Sequence, residues 1–314
     1  MRPACVALVL TALALGPSVA GVGASEPLQD ANVKLLSLKV NGKGEALFTY
    51  RRSDGLLRHV LAWGALNARP PSADVPQVRF RWDYAGGWGK YRNGKYWQTL
   101  KNRCRPYDGP PLPMLVGACK APNGTYWTIQ AWQRRLPLLG FDPWLPHQTN
   151  WELHVAHWFG ELPRLEVYPN WTYGGRWQGV FGRYSYLGQP VFGFGSNAKG
   201  VPRDKYGRNL YVDTFNSAYG AGWKRESGIL THRGTGTFCH SFVPQRPFVG
   251  YPSQEIRPPA AGERHRVTVG GPGVTPVVQA EIAGLTNADQ QRDGEFNSVF
   301  DQVMAGDRIC AGER

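Results

Sequence analysis

The sequence predicts a mainly β protein, built as two antiparallel β-rich lobes of sandwich or jelly-roll-like form with one C-terminal α-helix. Three observations support this fold class. Apolar and polar residues alternate over short segments, which is the period of a β-strand. The 39 glycines and 25 prolines supply frequent turns. Aromatic residues make up 12% of the chain, which argues against disorder and provides material for a core.

Residues 1–24 have the pattern of a signal peptide. Arg2 precedes an uncharged apolar run from Val6 to Leu15, and small residues at Ala20 and Ala24 offer cleavage sites. The run is too short to cross a bilayer, and no later segment reaches 18 apolar residues. We therefore expect a secreted protein, extracellular or associated with the cell envelope, without a membrane span.

An antiparallel meander is predicted next. Leu36, Leu38 and Val40 alternate before the turn at 41–44, and two further alternating segments follow at 46–50 and 57–62. The segment 78–84 alternates in the same way, with Val78, Phe80, Trp82 and Tyr84 on one face and Arg79, Arg81 and Asp83 on the other. Asn93–Gly94 then predicts a two-residue hairpin turn, which would place Arg92 opposite Lys95.

The chain divides at a proline-rich connection, residues 137–146, into a basic aromatic-rich lobe (25–145) and a near-neutral lobe (146–314). Residues 25–150 carry 18 basic and 8 acidic side chains, whereas residues 151–314 carry 17 and 15. Five residues recur in both lobes at a constant offset of 89, which is compatible with an internal duplication without requiring one. The matched sets are Val78, Trp82, Tyr84, Gly86, Trp88 and Val167, Trp171, Tyr173, Gly175, Trp177.

One helix is predicted near the C-terminus. A sequence resembling a capping box at 286–289 precedes an apolar stripe at Phe296, Val299, Phe300 and Val303. Four cysteines remain beyond the predicted signal peptide, and an even number in an oxidising compartment indicates two disulfides. We predict the pairs Cys104–Cys119 and Cys239–Cys310, the second holding the helix against the body.

The densest chemical feature is a cluster of cations and aromatic rings between Arg79 and Arg105. It contains eight Lys or Arg residues, seven aromatic residues and one acid, Asp83. Cations attract polyanions, and flat rings stack on sugars or bases. The residues predicted to bind are Arg79, Arg81, Lys90, Tyr91, Arg92, Lys95, Tyr96 and Trp97.

We expect a non-catalytic protein that binds an anionic glycan or cell-envelope polymer. Nucleic acid is a less favoured partner because no nucleic-acid-binding module accompanies the cluster. The alternative is a secreted carbohydrate-active hydrolase. It would use the carboxylates of Asp213 and Glu226 with His232, since glycoside hydrolysis needs two acids at a set separation.

No cofactor or metal is expected. His154 and His157 lie three residues apart, but their segment alternates as a strand, so the two imidazoles should point to opposite faces. The cysteines lack the close spacing of a zinc site. Glu152 and His154 share one face and form a second, weaker candidate for acid–base chemistry.

Overall fold

The computed structural model describes residues 25–66, 78–91, 94–133, 150–172, 177–191, 194–196, 202–204, 210–217, 220–226, 228–232, 236–242 and 263–283, together with Ser298 and Gln302. Within these ranges the protein is mainly β, as predicted, and every strand pairing is antiparallel. The four larger sheets form two pairs, one in each half of the chain.

The described residues of the first half form eight strands and one short helix. They are β1 (Glu26–Pro27), β2 (Lys34–Val40), β3 (Ala46–Arg51), β4 (Leu57–Gly64), β5 (Phe80–Asp83), α1 (Tyr96–Thr99), β6 (Leu115–Lys120), β7 (Tyr126–Trp132) and β8 (Glu152–Trp158). Sheet I has the strand order β2-β3-β4-β5, and sheet II has the order β1-β8-β7-β6. The predicted meander is therefore confirmed as sheet I.

Sheets I and II share one apolar core. Phe48 and Val60 of sheet I meet Trp127, Ile129 and Val155 of sheet II, and all five are fully buried. Trp82 packs against the same core, as its strand parity predicts. Alternate residues of each strand therefore face inward, and the other half of each strand forms an outer face.

A β-bulge changes which leucines of β2 face this core. The pairing of β2 with β3 shifts between Leu35 and Ser37. As a result Leu35 and Leu38 pack against the core, whereas Leu36 is 44% exposed. The simple alternation that groups Leu36 with Leu38 is wrong at this position, because a bulge inserts one extra residue and reverses the parity.

The segment after β5 differs from the predicted hairpin. Residues 84–91 form turns, the Gly94 N–H donates to the Tyr91 carbonyl at 3.0 Å, and α1 begins at Tyr96. Gly86 and Gly87 have positive φ, and a Cβ there would lie 2.9 Å from Trp97 and 2.7 Å from Tyr96. The chain folds back over sheet I because this close approach buries aromatic surface that two exposed strands would leave in water.

The part of the second half that the structure describes forms eleven strands. They are β9 (Arg164–Thr172), β10 (Trp177–Tyr186), β11 (Gln189–Pro190), β12 (Phe194–Ser196), β13 (Pro202–Asp204), β14 (Leu210–Ser217), β15 (Gly220–Arg225), β16 (Gly228–His232), β17 (Thr237–Phe242), β18 (Arg264–Val269) and β19 (Val278–Ala283). Sheet III has the order β11-β10-β17-β16 with β9 paired to β10, and sheet IV has the order β15-β14-β18-β19. Strands β12 and β13 form a separate ribbon.

Sheets III and IV share a second core. Val180, Tyr184 and Phe238 of sheet III meet Val212 and Val267 of sheet IV, and each is at most 1% exposed. The offset of 89 residues relates β5 to β9, and each lies at the edge of its sheet. The internal duplication itself stays a prediction.

Strand β8 belongs to the first half. It pairs with β7 along its whole length and with β1 at Glu26 and Pro27. The predicted boundary at 145/146 therefore does not coincide with the boundary between the sheets, which falls between Trp158 and Arg164. The proline-rich connection suggested an earlier break, but β8 returns to sheet II because Leu153 and Val155 complete the first core.

Several contacts join the halves. The side-chain amide of Gln130 donates to the Val277 carbonyl and accepts from the Val277 N–H, both at 2.9 Å. The backbone N–H of His157 donates to the Val274 carbonyl at 3.0 Å, and Val274 is fully buried in the first core. The segment before β19 therefore contacts sheet II and links the two halves.

The Cys104–Cys119 disulfide is confirmed, with the two Cα atoms 5.5 Å apart. Cys239 is also disulfide-bonded, and its predicted partner, Cys310, lies outside the described residues. The predicted C-terminal helix lies outside them too, apart from Ser298 and Gln302, which have helical backbone. Among the described residues, no helix combines the length and apolar character that a membrane crossing needs.

Candidate functional site

The predicted binding residues lie on the outer face of sheet I. Arg79 and Arg81 flank the buried Phe80 and are exposed, and Arg81 stands opposite Trp63 in the β4–β5 pairing. Lys95 is exposed at the start of α1. Arg92 lies outside the described residues. We call the surface formed by Arg79, Arg81, Lys95, Tyr91, Tyr96 and Trp97 the basic face.

The aromatic residues of the basic face are also structural. Tyr91, Tyr96 and Trp97 pack with Trp63 against a small core of Leu47, Leu61 and Leu100. The Tyr91 and Tyr96 rings stack with centroids 4.1 Å apart, and Trp97 stacks on His59 at 4.2 Å with an interplanar angle of 9°. All three residues remain half-buried, so part of each is open to solvent.

Glu45 fixes the folded-back segment to sheet I. Its carboxylate accepts short hydrogen bonds from Lys90 Nζ and the Tyr91 hydroxyl, and a third from Asn41 at 2.8 Å. Burial by itself would raise the pKa of Glu45, but these donors outweigh burial and hold the pKa below its usual value. Lys90 also lies 4.2 Å from the Trp63 ring centroid. The positive charge of Lys90 therefore interacts with Glu45 and Trp63 within the protein.

Three cations of the basic face, unlike Lys90, form no ion pair within the described structure. Arg79, Arg81 and Lys95 form no ion pair with any residue that the structure describes. The acid of the cluster, Asp83, accepts backbone N–H groups of Ala85 and Lys90 at 2.9 and 3.0 Å. The surface therefore combines exposed cations that form no ion pair with partly exposed aromatic residues.

The candidate catalytic residue Asp213 is a buried ion-pair partner. It lies on β14 and accepts a short hydrogen bond from Arg225 Nε and another from Arg266 Nε at 2.9 Å. Burial favours the neutral acid, but the two guanidiniums outweigh burial and hold the pKa of Asp213 below its usual range. A carboxylate whose ionised form is favoured by two arginines serves as a structural anchor more readily than as a proton donor.

The other candidate catalytic residues do not join Asp213. Asp213 pairs with Arg225, so the next residue, Glu226, points to the opposite face of sheet IV. The Glu226 backbone N–H donates to the carbonyl of Val212, a residue of the second core. His232 lies at the end of β16 in sheet III. The carboxylates of Asp213 and Glu226 therefore do not share one cleft, and this placement does not favour a hydrolase.

His154 and His157 lie on opposite faces of β8, as predicted. The His157 ring stacks on Trp127 inside the first core, whereas the His154 ring packs against Trp132 on the outer face. Glu152 and His154 do pair, at 3.2 Å, but the His154 side chain is only 2% exposed, which gives a substrate no access. No group of three metal-ligating side chains occurs in the part of the chain that the structure describes.

The structure also reveals a pocket that the sequence did not indicate. It has a volume of about 90 Å³ and lies where the outer faces of sheets II and IV meet. Its lining includes Trp132, Trp151, Trp223, Asp213, Arg225 and Arg266. We call it the junction pocket. The sequence does not indicate this pocket, because Arg266 and Trp151 both line it only through contacts between the halves.

Comparison of the chain with models of known protein families, with curated proteins and with solved structures finds no match in any of the three.

Proposed function

We propose that the protein is a secreted, non-catalytic binding protein that holds an anionic glycan or cell-envelope polymer on the basic face. The observation that carries this proposal is the presence of three exposed, unpaired cations, Arg79, Arg81 and Lys95, beside half-buried aromatic rings.

The charge favours an anionic polymer. An exposed arginine or lysine that forms no ion pair directs its field toward solvent, and several on one face attract a polyanion. Residues 25–150 hold most of the excess positive charge of the chain. A flexible polymer with one charge per repeat can contact several of these cations at once.

The aromatic residues favour a glycan. Tyr91, Tyr96 and Trp97 are locked by packing against Leu47 and Leu61, so they would lose little side-chain entropy on binding. Rigid rings that keep part of their surface open to solvent can make apolar contact with the C–H groups of a sugar. The cations and rings together favour an acidic polysaccharide over a simple inorganic polyanion.

Export is proposed on the apolar segment from Val6 to Leu15 and supported by the chemistry of the cysteines. Disulfides form and persist mainly in oxidising compartments. Both Cys104–Cys119 and the bonded Cys239 fit such a compartment.

Retention on an immobilised acidic polysaccharide tests the proposed function. Polygalacturonate and its neutral methyl ester form the matched pair of supports. The purified protein should be retained on the first and not on the second. The triple variant Arg79→Ser/Arg81→Ser/Lys95→Ser should elute with the unbound fraction, because it lacks the free cations.

A second triple variant distinguishes loss of cations at the basic face from a general loss of net positive charge. Lys34→Ser/Arg51→Ser/Arg164→Ser also removes three exposed cations. Lys34 pairs with Arg51 on sheet I at the end of β4 remote from Arg81, and Arg164 lies in the second half. This control should be retained like the wild type. Equal loss in both triple variants, or equal retention on the neutral support, would contradict the proposal.

A further inference from the structure

The junction pocket is built by buried charge and aromatic rings from both halves of the chain. Asp213 and Arg225 at its base are each 3% exposed, and Arg225 also donates to the Gln133 carbonyl at 2.7 Å. The hydrogen bonds of this base join one half to the other and one strand of sheet IV to the next. The pocket is thus a formed feature of the fold.

Arg266 presents free hydrogen-bond donors at this pocket. Its Nε donates to Asp213, but its two Nη groups have no partner among the residues that the structure describes. The guanidinium lies 4.4 Å from the Trp223 ring centroid, and its side chain is 25% exposed. A guanidinium held by a ring and a carboxylate offers its remaining N–H pair in a fixed direction, which suits a bidentate carboxylate or sulfate.

The walls of the pocket favour a sugar. Trp151 is 52% exposed, Trp223 is half-buried and Trp132 is buried, so the aromatic surface runs from the base to the rim. The indole N–H of Trp132 is buried and has no acceptor in the described structure. A ligand oxygen that reached this N–H would remove the cost of leaving a buried donor unpaired.

The size of the pocket limits the ligand. Its volume of about 90 Å³ is several times the roughly 10–15 Å³ that a single water needs. That space admits a carboxylate or sulfate and the atoms that carry it, while the rest of a ring would rest on exposed Trp151. The charge is also suitable, since the two lining arginines outnumber the single carboxylate of Asp213.

We propose that the junction pocket binds a single anionic sugar residue, with the acidic group on Arg266 and the ring against Trp151 and Trp223. This site is separate from the basic face. It recognises one residue by shape and hydrogen bonds, whereas the basic face recognises a polymer by charge.

Isothermal titration with monosaccharides tests this proposal. Galacturonate and glucuronate should bind the purified protein, while glucose, which lacks the acid, and acetate, which lacks the ring, should not. Arg266→Gln and Trp151→Ala should each weaken uronate binding about tenfold or more. Arg266→Lys should recover only part of the affinity, because an ammonium keeps the charge and loses the paired donors.

Matched controls are available for both residues. Trp88→Ala removes a tryptophan with the same 52% exposure as Trp151, and Arg164→Gln removes an exposed arginine. Both controls, and the triple variant of the basic face, should bind uronate like the wild type. If Arg266→Gln fails to fold, Trp151→Ala decides the question, since its exposed ring contributes little to stability.

Several results would overturn the pocket proposal. They are absence of uronate binding by the wild type, equal binding of glucose, equal binding of acetate, and unchanged affinity in Trp151→Ala. If the wild type binds uronate but not polygalacturonate, the junction-pocket proposal stands and the proposed function of the basic face is wrong. If it binds polygalacturonate but not uronate, the proposed function of the basic face stands and the junction-pocket proposal is wrong.

Discussion

The imidazole of His157 lies flat on the indole of Trp127, with ring centroids 4.0 Å apart and an interplanar angle of 13°. Both residues are buried where sheet II meets the segment before β19. His157 Nε2 is 2.9 Å from Thr125 Oγ1, and Nδ1 is 3.2 Å from the Gly64 carbonyl. This ring therefore links the stability of the first core to the protonation of one side chain.

Stability should fall with acid because of His157. Burial lowers the pKa of His157 to about 4 from the ordinary 6.5. The unfolded chain then binds the proton first, so stability is present above pH 6.5 and decreases as the pH falls from 6.5 to about 4, by about 3 kcal/mol. Urea unfolding of the wild type and His157→Gln at pH 7.5, 6.5, 5.5 and 4.5 measures this pH-dependent part of the unfolding free energy. The variant should show a flatter profile, and parallel profiles would contradict the assignment.

Removing the Glu45 carboxylate should loosen the segment that carries the basic face. Glu45→Ala leaves Lys90 and Tyr91 without their acceptor and should cost about 1–2 kcal/mol. Because the folded-state pKa of Glu45 is lowered, its stabilising effect is present above the unfolded pKa and is lost as the pH falls through the folded pKa.

Hydrogen exchange of the amides in residues 84–100 is the measurement for Glu45. These amides should exchange faster in Glu45→Ala than in the wild type at neutral pH. Asp108→Ala is the control, since it removes an exposed partner of Lys120 and should leave the segment unchanged. Identical exchange in Glu45→Ala and the wild type would show that Glu45 does not hold the segment.

The Cys104–Cys119 disulfide should stabilise the first half. It links positions 15 residues apart, and Cys119 is fully buried in the first core. Cys104→Ala/Cys119→Ala should cost about 3 kcal/mol, the loop-closure value for that separation. Guanidinium unfolding gives the number, and a reducing agent should destabilise the double variant further through the bond of Cys239. A double variant as stable as the wild type would contradict the expectation.

Trp82 and Trp88, both between Arg79 and Arg105, should differ in how much their truncation lowers stability. Trp82 packs against Phe48 and Phe80, and its indole N–H donates to Glu26 at 2.7 Å. Trp82→Ala should cost about 3 kcal/mol. Trp88 is 52% exposed, so Trp88→Ala should leave the thermal unfolding midpoint nearly unchanged. Similar midpoints for the two variants would argue against the core position of Trp82.

Local patterns predicted much of the first half. Alternation placed β2 to β5 and the inward face of Trp82, and cysteine spacing gave Cys104–Cys119. The bulge at Leu35 escaped detection because an inserted residue leaves no mark in composition. The hairpin predicted from Asn93–Gly94 did not form because turn propensity is a local property. The fold of this segment depends instead on contacts of Tyr96 and Trp97 with distant strands.

Long-range pairing explains what the sequence did not predict about the candidate sites. Glu45 meets Lys90 across 45 residues, and Arg266 meets Asp213 across 53. No periodicity relates such positions, so the charge of Lys90 was assigned to binding and Asp213 to catalysis.

The salt dependence of polymer binding tests the central claim most directly. If Arg79, Arg81 and Lys95 hold an acidic polysaccharide by charge, the association constant for polygalacturonate should fall steeply with rising salt, because bound counterions are released. Arg79→Ser/Arg81→Ser/Lys95→Ser should bind more weakly and with a flatter slope, while Lys34→Ser/Arg51→Ser/Arg164→Ser should follow the wild type. The same affinity and slope in all three proteins would contradict the account.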